Sequence, residues 1–145
     1  MVTELIAGRF VLVPLPPRLA EYQQLRALAR LAPKTDAQAS GALRGSWAVC
    51  HIREPGGGPV AMGRVIGDGG WYFTLADVLD HPGYRDRQLA ERVLEWLLRQ
   101  IRLRAPADPC VTVIADPPAR GLYERAGFGV MGRFGPGMNM VLEQP

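Results

Sequence analysis

An α/β domain with strands of mixed direction is what this sequence predicts. Three observations carry the prediction. Strand-like and helix-like segments alternate along the chain; a strand near the middle, WYFTLADV, leads through a Pro-Gly turn into a long amphipathic helix; and a near-continuous apolar run, CVTVIA, follows that helix as a buried strand would. The 145 residues suit one domain, residues 1–145, with a proper buried core and no internal repeat.

Composition narrows the function classes. Hydrophobic residues make up 48% and charged residues 21%, the balance of an ordinary globular protein, and the net charge is only +3. The positive charge is almost all arginine, with Lys34 the only lysine, and no basic run is interleaved with aromatics. Nucleic acid is therefore not expected as a partner. No apolar stretch approaches the roughly 20 residues that span a membrane, and no leader pattern opens the chain, so no membrane contact and a cytoplasmic location are expected. Cys50 and Cys110 fall in strand-like segments without metal spacing and read as free buried thiols, so no metal is expected.

Each element has its own signal. Arg9 to Leu15 is a first strand, rich in β-branched and aromatic residues. Pro16 and Pro17 suit a helix start, and Leu19, Tyr22, Leu25, Leu28, Ala29 and Ala32 follow at near-helical spacing until Pro33. Thr35 is an N-cap for a second helix, Asp36 to Leu43, stopped by Gly45. Trp47 to Arg53 and Val60 to Ile66 form an antiparallel hairpin across a glycine-rich loop, and GDGG at Gly67 to Gly70 turns into the strand Trp71 to Val78. Asp86 to Arg104 is the long helix, with an apolar stripe of Leu89, Val93, Leu94, Leu97, Leu98 and Ile101. Cys110 to Ala115 is the buried strand, and Pro117 to Ala126 is a short helix closed by Gly127. Phe128 to Phe134 and Met138 to Leu142 read as two final strands.

The junction Tyr84 to Ala90, YRDRQLA, lies where a helix starts after a strand. Unpaired N–H groups and the positive end of the helix dipole make such a junction able to hold a phosphate.

Over essentially the whole chain the pattern resembles the GNAT superfamily of acyl-CoA N-acyltransferases. The most specific segment is ARGLYERAGF, which carries Ala119, Leu122, Tyr123, Glu124, Gly127 and Phe128 at the positions of the family's AxxLYExxGF motif. The usual asparagine three positions before that alanine is Asp116 here. Arg85, Asp86, Arg87, Gln88, Leu89 and Ala90 stand at the Q/R-x-x-G-x-G/A loop, with Pro82 at its preceding proline. The loop departs from the pattern in two physical respects: Gln88 replaces the central glycine, and Asp86 brings a carboxylate where glycine is common. Arg85, Arg87 and Arg92 offset that charge.

The resemblance implies a mixed, mostly antiparallel central sheet of about six or seven strands flanked by four helices. It implies direct transfer of an acetyl group from acetyl-CoA to the amine of a small-molecule acceptor, without a covalent enzyme intermediate. By the same resemblance, Val78 and Leu79 border the pantetheine arm, and Arg85, Arg87, Gln88, Leu89 and Ala90 hold the pyrophosphate. Tyr123 stands at the general-acid position. Asp77 stands where an acidic base is often found, with Asp68, Asp80 and His81 as competitors and His51 a structural histidine. Arg64, Trp71 and Tyr72, with Arg26, Lys34 and Trp47, are candidates to line the acceptor site, the aromatics having an equal reading as core, and the arginines hint at an acidic acceptor. A homodimer is compatible with the resemblance. The loop departures keep a second reading open, a GNAT-fold protein whose coenzyme site has decayed into a binding site or another chemistry.

Overall fold

Backbone pairing in the computed structural model, which describes residues 3–6, 9–131, 135 and 137–144, builds one six-stranded sheet in the order β1-β2-β3-β4-β5-β6. The strands are β1 (Glu4–Ile6), β2 (Phe10–Val13), β3 (Ala48–Arg53), β4 (Pro59–Gly67), β5 (Tyr72–Asp80) and β6 (Cys110–Val113). Neighbours pair antiparallel except β5 and β6, which pair parallel. The long helix between β5 and β6 is the crossover that a parallel pair requires. This is the mixed, mostly antiparallel sheet expected. The chain divides into two compact units, Met1–Ile114 and Ala115–Pro145, and the sheet belongs to the first.

Helices α1 (Leu19–Leu28) and α2 (Asp36–Arg44) follow β2. The first is shorter than its apolar spacing suggests. Leu31 N–H donates to the Arg26 carbonyl, and Arg30 takes a left-handed φ of 59°, a turn that closes the helix before Pro33. Such a turn normally carries glycine, so an arginine there gives no signal. The second helix opens on the expected cap. Gln38 N–H donates to Thr35 Oγ1 at 3.2 Å, and Thr35 N–H donates to Gln38 Oε1 at 3.0 Å, a reciprocal capping box.

Helix α3 spans Leu89–Arg104 and starts later than Asp86. Residues Pro82–Arg87 instead form a 3-10 turn, and Gln88 lies in the left-handed region at φ 55°, which no α-helix can pass through. From Leu89 onward Leu89, Val93, Leu94, Leu97 and Ile101 are buried. They meet the sheet at Gly63, where a Cβ would stand 2.5 Å from Val93 Cγ1 and 2.8 Å from Leu97 Cδ1. Glycine lets helix and strand approach there, and any side chain would push them apart. On the opposite face Met62 and Leu79 pack with Tyr22, Leu25, Ala39 and Leu43, so α1 and α2 cover one side and α3 the other.

The second unit contains a 3-10 turn, Pro117–Ala119, and helix α4, Arg120–Arg125. Gly127 takes φ 99°, Phe128 N–H donates to the Tyr123 carbonyl at 3.0 Å, and the two rings meet edge to face at 5.7 Å. The glycine and phenylalanine of LYERAGF thus close one Schellman turn, with its hydrophobic contact between the residue after the glycine and the last helical turn.

Two expected strands are corrected. Described residues 128–131 and 137–144 form no strand, while residues 132–134 of the expected strand Phe128 to Phe134 lie outside the described residues. Val130, Met138 and Val141 are 78%, 95% and 86% exposed. A strand is stabilised by packing one pleated face, and these side chains have no face to pack. In the other direction, β1 was not signalled. Neither cysteine is in a disulfide; Cys50 is buried and Cys110 half-buried.

Candidate active site

Strand β5 is paired on both sides only along its first half. Tyr72, Phe73, Thr74 and Leu75 pair with Cys110, Val111, Thr112 and Val113, after which β6 ends and β5 runs on to Asp80. Along Ala76 to Asp80 that edge has no strand partner among the described residues. Backbone amides and carbonyls on such an edge are free to pair with an extended chain bearing amides of its own. Val78 and Leu79 lie on this stretch. Val78 reaches within 3.2 Å of a Cβ built on Gly63, on the α3 side, and Leu79 packs under α1 and α2.

A β-bulge opens the same stretch. Met62 pairs with Leu79 and Arg64 with Ala76, so two steps along β4 face three along β5. The extra residue shifts the alternation of side chains by one. Leu75 points to the α3 side with Val65, whereas Asp77 follows Ala76 onto the α1 and α2 side instead of entering the apolar floor under α3. Asp77 carries the strain of this, with φ at 51°, a conformation that L residues seldom take.

Three donors hold the Asp77 carboxylate. Arg64 Nε donates to Oδ2 at 2.8 Å, Tyr22 Oη to Oδ2 at 2.5 Å, and Arg26 Nη1 to Oδ1 at 2.5 Å. The side chains of Arg26, Arg64 and Asp77 are 12%, 13% and 9% exposed. Burial works against the Asp77 charge, but the hydrogen bonds from Arg64 and Tyr22 and the two guanidinium charges outweigh it and hold its pKa below the usual carboxylate range. Burial and the bond to Asp77 raise the Tyr22 pKa in turn. A carboxylate with its lone pairs so engaged is a poor proton acceptor and a good anchor. Tyr22 and Arg26 are the residues that sequence reasoning undervalued. The first read as an apolar helix position and the second as one of several arginines, although their spacing of four puts both on one helix face.

Trp71, just before β5, and Tyr72, its first residue, are 58% and 49% exposed, with ring centroids 4.3 Å apart. Neither is core. Tyr72, Thr74 and Ala76 alternate onto the face that carries Ile66 and Arg64. Arg64 and Tyr72 thus share one face of neighbouring strands, Arg64 opposite the start of the open edge at Ala76 and Tyr72, with Trp71 before it, at the paired end of β5. Trp47 instead packs against Phe73 and under the Arg104 guanidinium.

At the far end of β5 the chain enters the expected anion loop. The His81 ring accepts from Gly83 N–H at 2.9 Å and caps the 3-10 turn. Arg85 and Arg87 are exposed, Leu89 is buried and Ala90 half-buried. Arg85 Nε lies 4.0 Å from Asp80, and Arg87 Nε 3.6 Å from Asp86. Arg92 faces away, paired with Glu95 on α3 at 3.1 Å. Gln88, at the position of the family's central glycine, takes the left-handed backbone that makes glycine favourable there. Burial raises the Asp80 pKa, with the Arg85 charge opposing and Glu91 reinforcing. Among the other acid-base candidates, Asp68 is a turn residue whose Oδ1 accepts from the N–H groups of Gly70, Trp71 and Tyr72. His51 is buried in β3, its Nδ1 2.7 Å from the Leu15 carbonyl.

In the second unit Tyr123 is buried against Phe128. Burial, with the Asp116 charge beside it, raises its pKa, so the phenol keeps its proton at neutral pH.

No family model matches the chain. It is 31% identical over 80 residues to the uncharacterised N-acetyltransferase ycf52 of Porphyra purpurea, covering 52% of this chain and 45% of that protein. The chain therefore spans about half the length of the curated relatives it matches. Among solved structures it superposes on a protein of unknown function from meticillin-resistant Staphylococcus aureus, described as a probable acetyltransferase. The TM-score is 0.84 with 27% identity, covering 92% of this chain and 99% of that one. A GNAT-family acetyltransferase of Streptococcus pneumoniae shares the fold at a TM-score of 0.74 and 17% identity, covering 93% of this chain and 98% of that one. The ribosomal-protein-S18-alanine N-acetyltransferase of Escherichia coli does so at 0.69 and 17%, over 83% and 77%.

Proposed function

Taking the chain as a member of the GNAT superfamily, we propose that it moves an acetyl group from acetyl-CoA to the amine of a small-molecule acceptor by direct attack. The observation that supports this most is the open edge of β5 from Ala76 to Asp80, which starts at a bulge and ends at the loop before α3. An extended amide-bearing arm would pair along that edge. Its phosphates would lie toward the α3 N-terminus and the side chains of Arg85 and Arg87. The backbone of Val78, Leu79, Gln88, Leu89 and Ala90 would complete the walls of this path.

In this reading the bulge presents backbone N–H groups to the oxyanion that forms at the acetyl carbon. Asp77 is the acidic residue at the chemical centre. Its work is to anchor Arg64, Arg26 and Tyr22 around the bulge, and the amine loses its proton through water. On the resemblance of the LYERAGF motif alone, Tyr123, kept protonated by burial, is assigned the role of acid for the leaving thiolate. Arg64, Trp71 and Tyr72 form the acceptor side. Among the described residues no helix is long and apolar enough to cross a membrane.

Isothermal titration with acetyl-CoA tests the reading: saturable heat and a raised melting temperature are expected, and neither appearing would sink it. The left-handed Gln88, with Asp80 and Asp86 beside the loop arginines, favours a second reading in which the coenzyme site has decayed. Absent native binding that returns in Gln88→Gly with Asp86→Gly would establish that alternative.

A further inference from the structure

The Arg26, Asp77 and Arg64 cluster is short of one negative charge. Two guanidiniums, 12% and 13% exposed, share a single carboxylate, and the nearest acid on α1, Glu21, is spent on Arg53 at 2.9 Å. Both Nη atoms of Arg26 are taken, Nη1 by Asp77 and Nη2 by the Ala32 carbonyl at 3.1 Å, and its Nε is buried without a partner. Arg64 keeps one Nη open. Asp77 holds its Nε, the Ala42 carbonyl lies 3.5 Å from Nη1, and Nη2 has no partner among the described residues and is not buried. The Nη edge of a guanidinium is a ready fork for a carboxylate, and a cation taken this far from water gains most from one.

Position gives the cluster a use. Arg64 pairs directly with Ala76, the first residue of β5 beyond the last parallel pair with β6. It therefore lies one strand, about 4.8 Å, from the edge where transfer is placed. On the same face Ile66, next to Arg64 along β4, and Tyr72, further back along β5, are 44% and 49% exposed, and Trp71 leans on Tyr72, an apolar ledge that leads away from the cation. We infer that the acceptor is an α-amino acid with an apolar or aromatic side chain, its carboxylate on the Nη edge of Arg64 and its side chain along Ile66, Trp71 and Tyr72. This rests on the acetyltransferase reading for the fate of the amine. The recognition of the carboxylate is separable from it.

The test uses the full chain and a panel of apolar and aromatic α-amino acids, each beside its own carboxamide. Acetyl transfer is followed by the free thiol released from acetyl-CoA, and binding of the same compounds by titration calorimetry. For at least one member kcat/KM for the acid is expected to exceed that for the carboxamide by 50-fold or more. That preference should vanish in Arg64→Met and fall partway in Arg64→Lys, while the affinity for acetyl-CoA is unchanged. Should Arg64→Met fail to fold, Arg64→Lys carries the comparison, since it keeps the charge and loses the fork. Equal transfer to acids and carboxamides across the panel overturns the inference. If no panel member is acetylated, the calorimetry with the panel decides the inference alone, and the titration with acetyl-CoA decides the transferase reading separately. Tighter binding of an acid than of its carboxamide, lost in the Arg64 variants, upholds it, and no such difference overturns it.

Discussion

Arg64 Nε donates to Asp77 Oδ2 at 2.8 Å, across two neighbouring strands and thirteen residues of sequence. The bond exists only because one extra residue in β5 turns Asp77 to the face where Arg64 already points. Without the bulge the carboxylate would enter the apolar contact between Gly63 and α3, where burying it unpaired is prohibitive. The strained φ of Asp77 and its three donors are thus two sides of one arrangement.

Asp77→Asn keeps the shape and removes the charge, leaving two mostly buried guanidiniums unmatched. A loss of about 3 kcal/mol in unfolding free energy is expected, read from urea denaturation at pH 7. The wild type should show the linked pH effect. Because the folded pKa of Asp77 is depressed below 3.8, its contribution is complete above that value and is lost as pH falls through the folded pKa. A variant as stable as wild type, with the same acid limb, would show that the network adds nothing.

His51 gives the opposite signal on a different pH scale. Burial lowers its pKa from 6.5, against the bond to the Leu15 carbonyl, and the Arg53 charge adds to the lowering. The ring is therefore neutral in the folded chain, with the proton on Nδ1 facing that carbonyl and Nε2 buried without a partner. Since the unfolded chain takes up the proton first, stability is full above 6.5 and declines as pH falls from 6.5 toward the folded pKa. The slope contributed is at most about 1.4 kcal/mol per pH unit. Unfolding titrations at pH 7.5, 6 and 5 should show this decline, and His51→Gln should abolish it.

Gln88→Gly removes a side chain from a left-handed position. Relief of about 1 kcal/mol is expected, read as a higher urea midpoint. Affinity for acetyl-CoA should rise with it, because the missing Cβ lets backbone approach a phosphate. An unchanged midpoint would mean that the Gln88 conformation carries no strain.

Tyr123→Phe should lower turnover by about a hundredfold or more while acetyl-CoA binds as before. Full activity in that variant would move the general acid elsewhere. A collapse of the melting temperature alone would make the hydroxyl structural.

Periodicity and capping made most of the fold legible. Thr35 announces α2, the stripe from Leu89 to Ile101 announces α3, and the apolar run at Cys110 announces the strand beside β5. Those signals are local, since a cap or an amphipathic face is written within a few residues of where it acts. Helix ends were misplaced where Arg30 and Gln88 hold left-handed positions that glycine usually marks. Among the described residues after Phe128 the expected strands are absent for another reason: the apolar residues are there, yet a strand also needs a surface to bury them against. For the site, the sequence by itself determined the inventory: the arginines, the aspartates and the LYERAGF turn that seats Tyr123 against Phe128. Only the tertiary structure decided that Asp77 meets Tyr22, Arg26 and Arg64, because a one-residue bulge and the crossing of α1 over β4 and β5 are set by packing between distant segments. A carboxylate that a strand-end reading offers as a base is for that reason held by three donors, and the cluster around it keeps one positive charge unmatched.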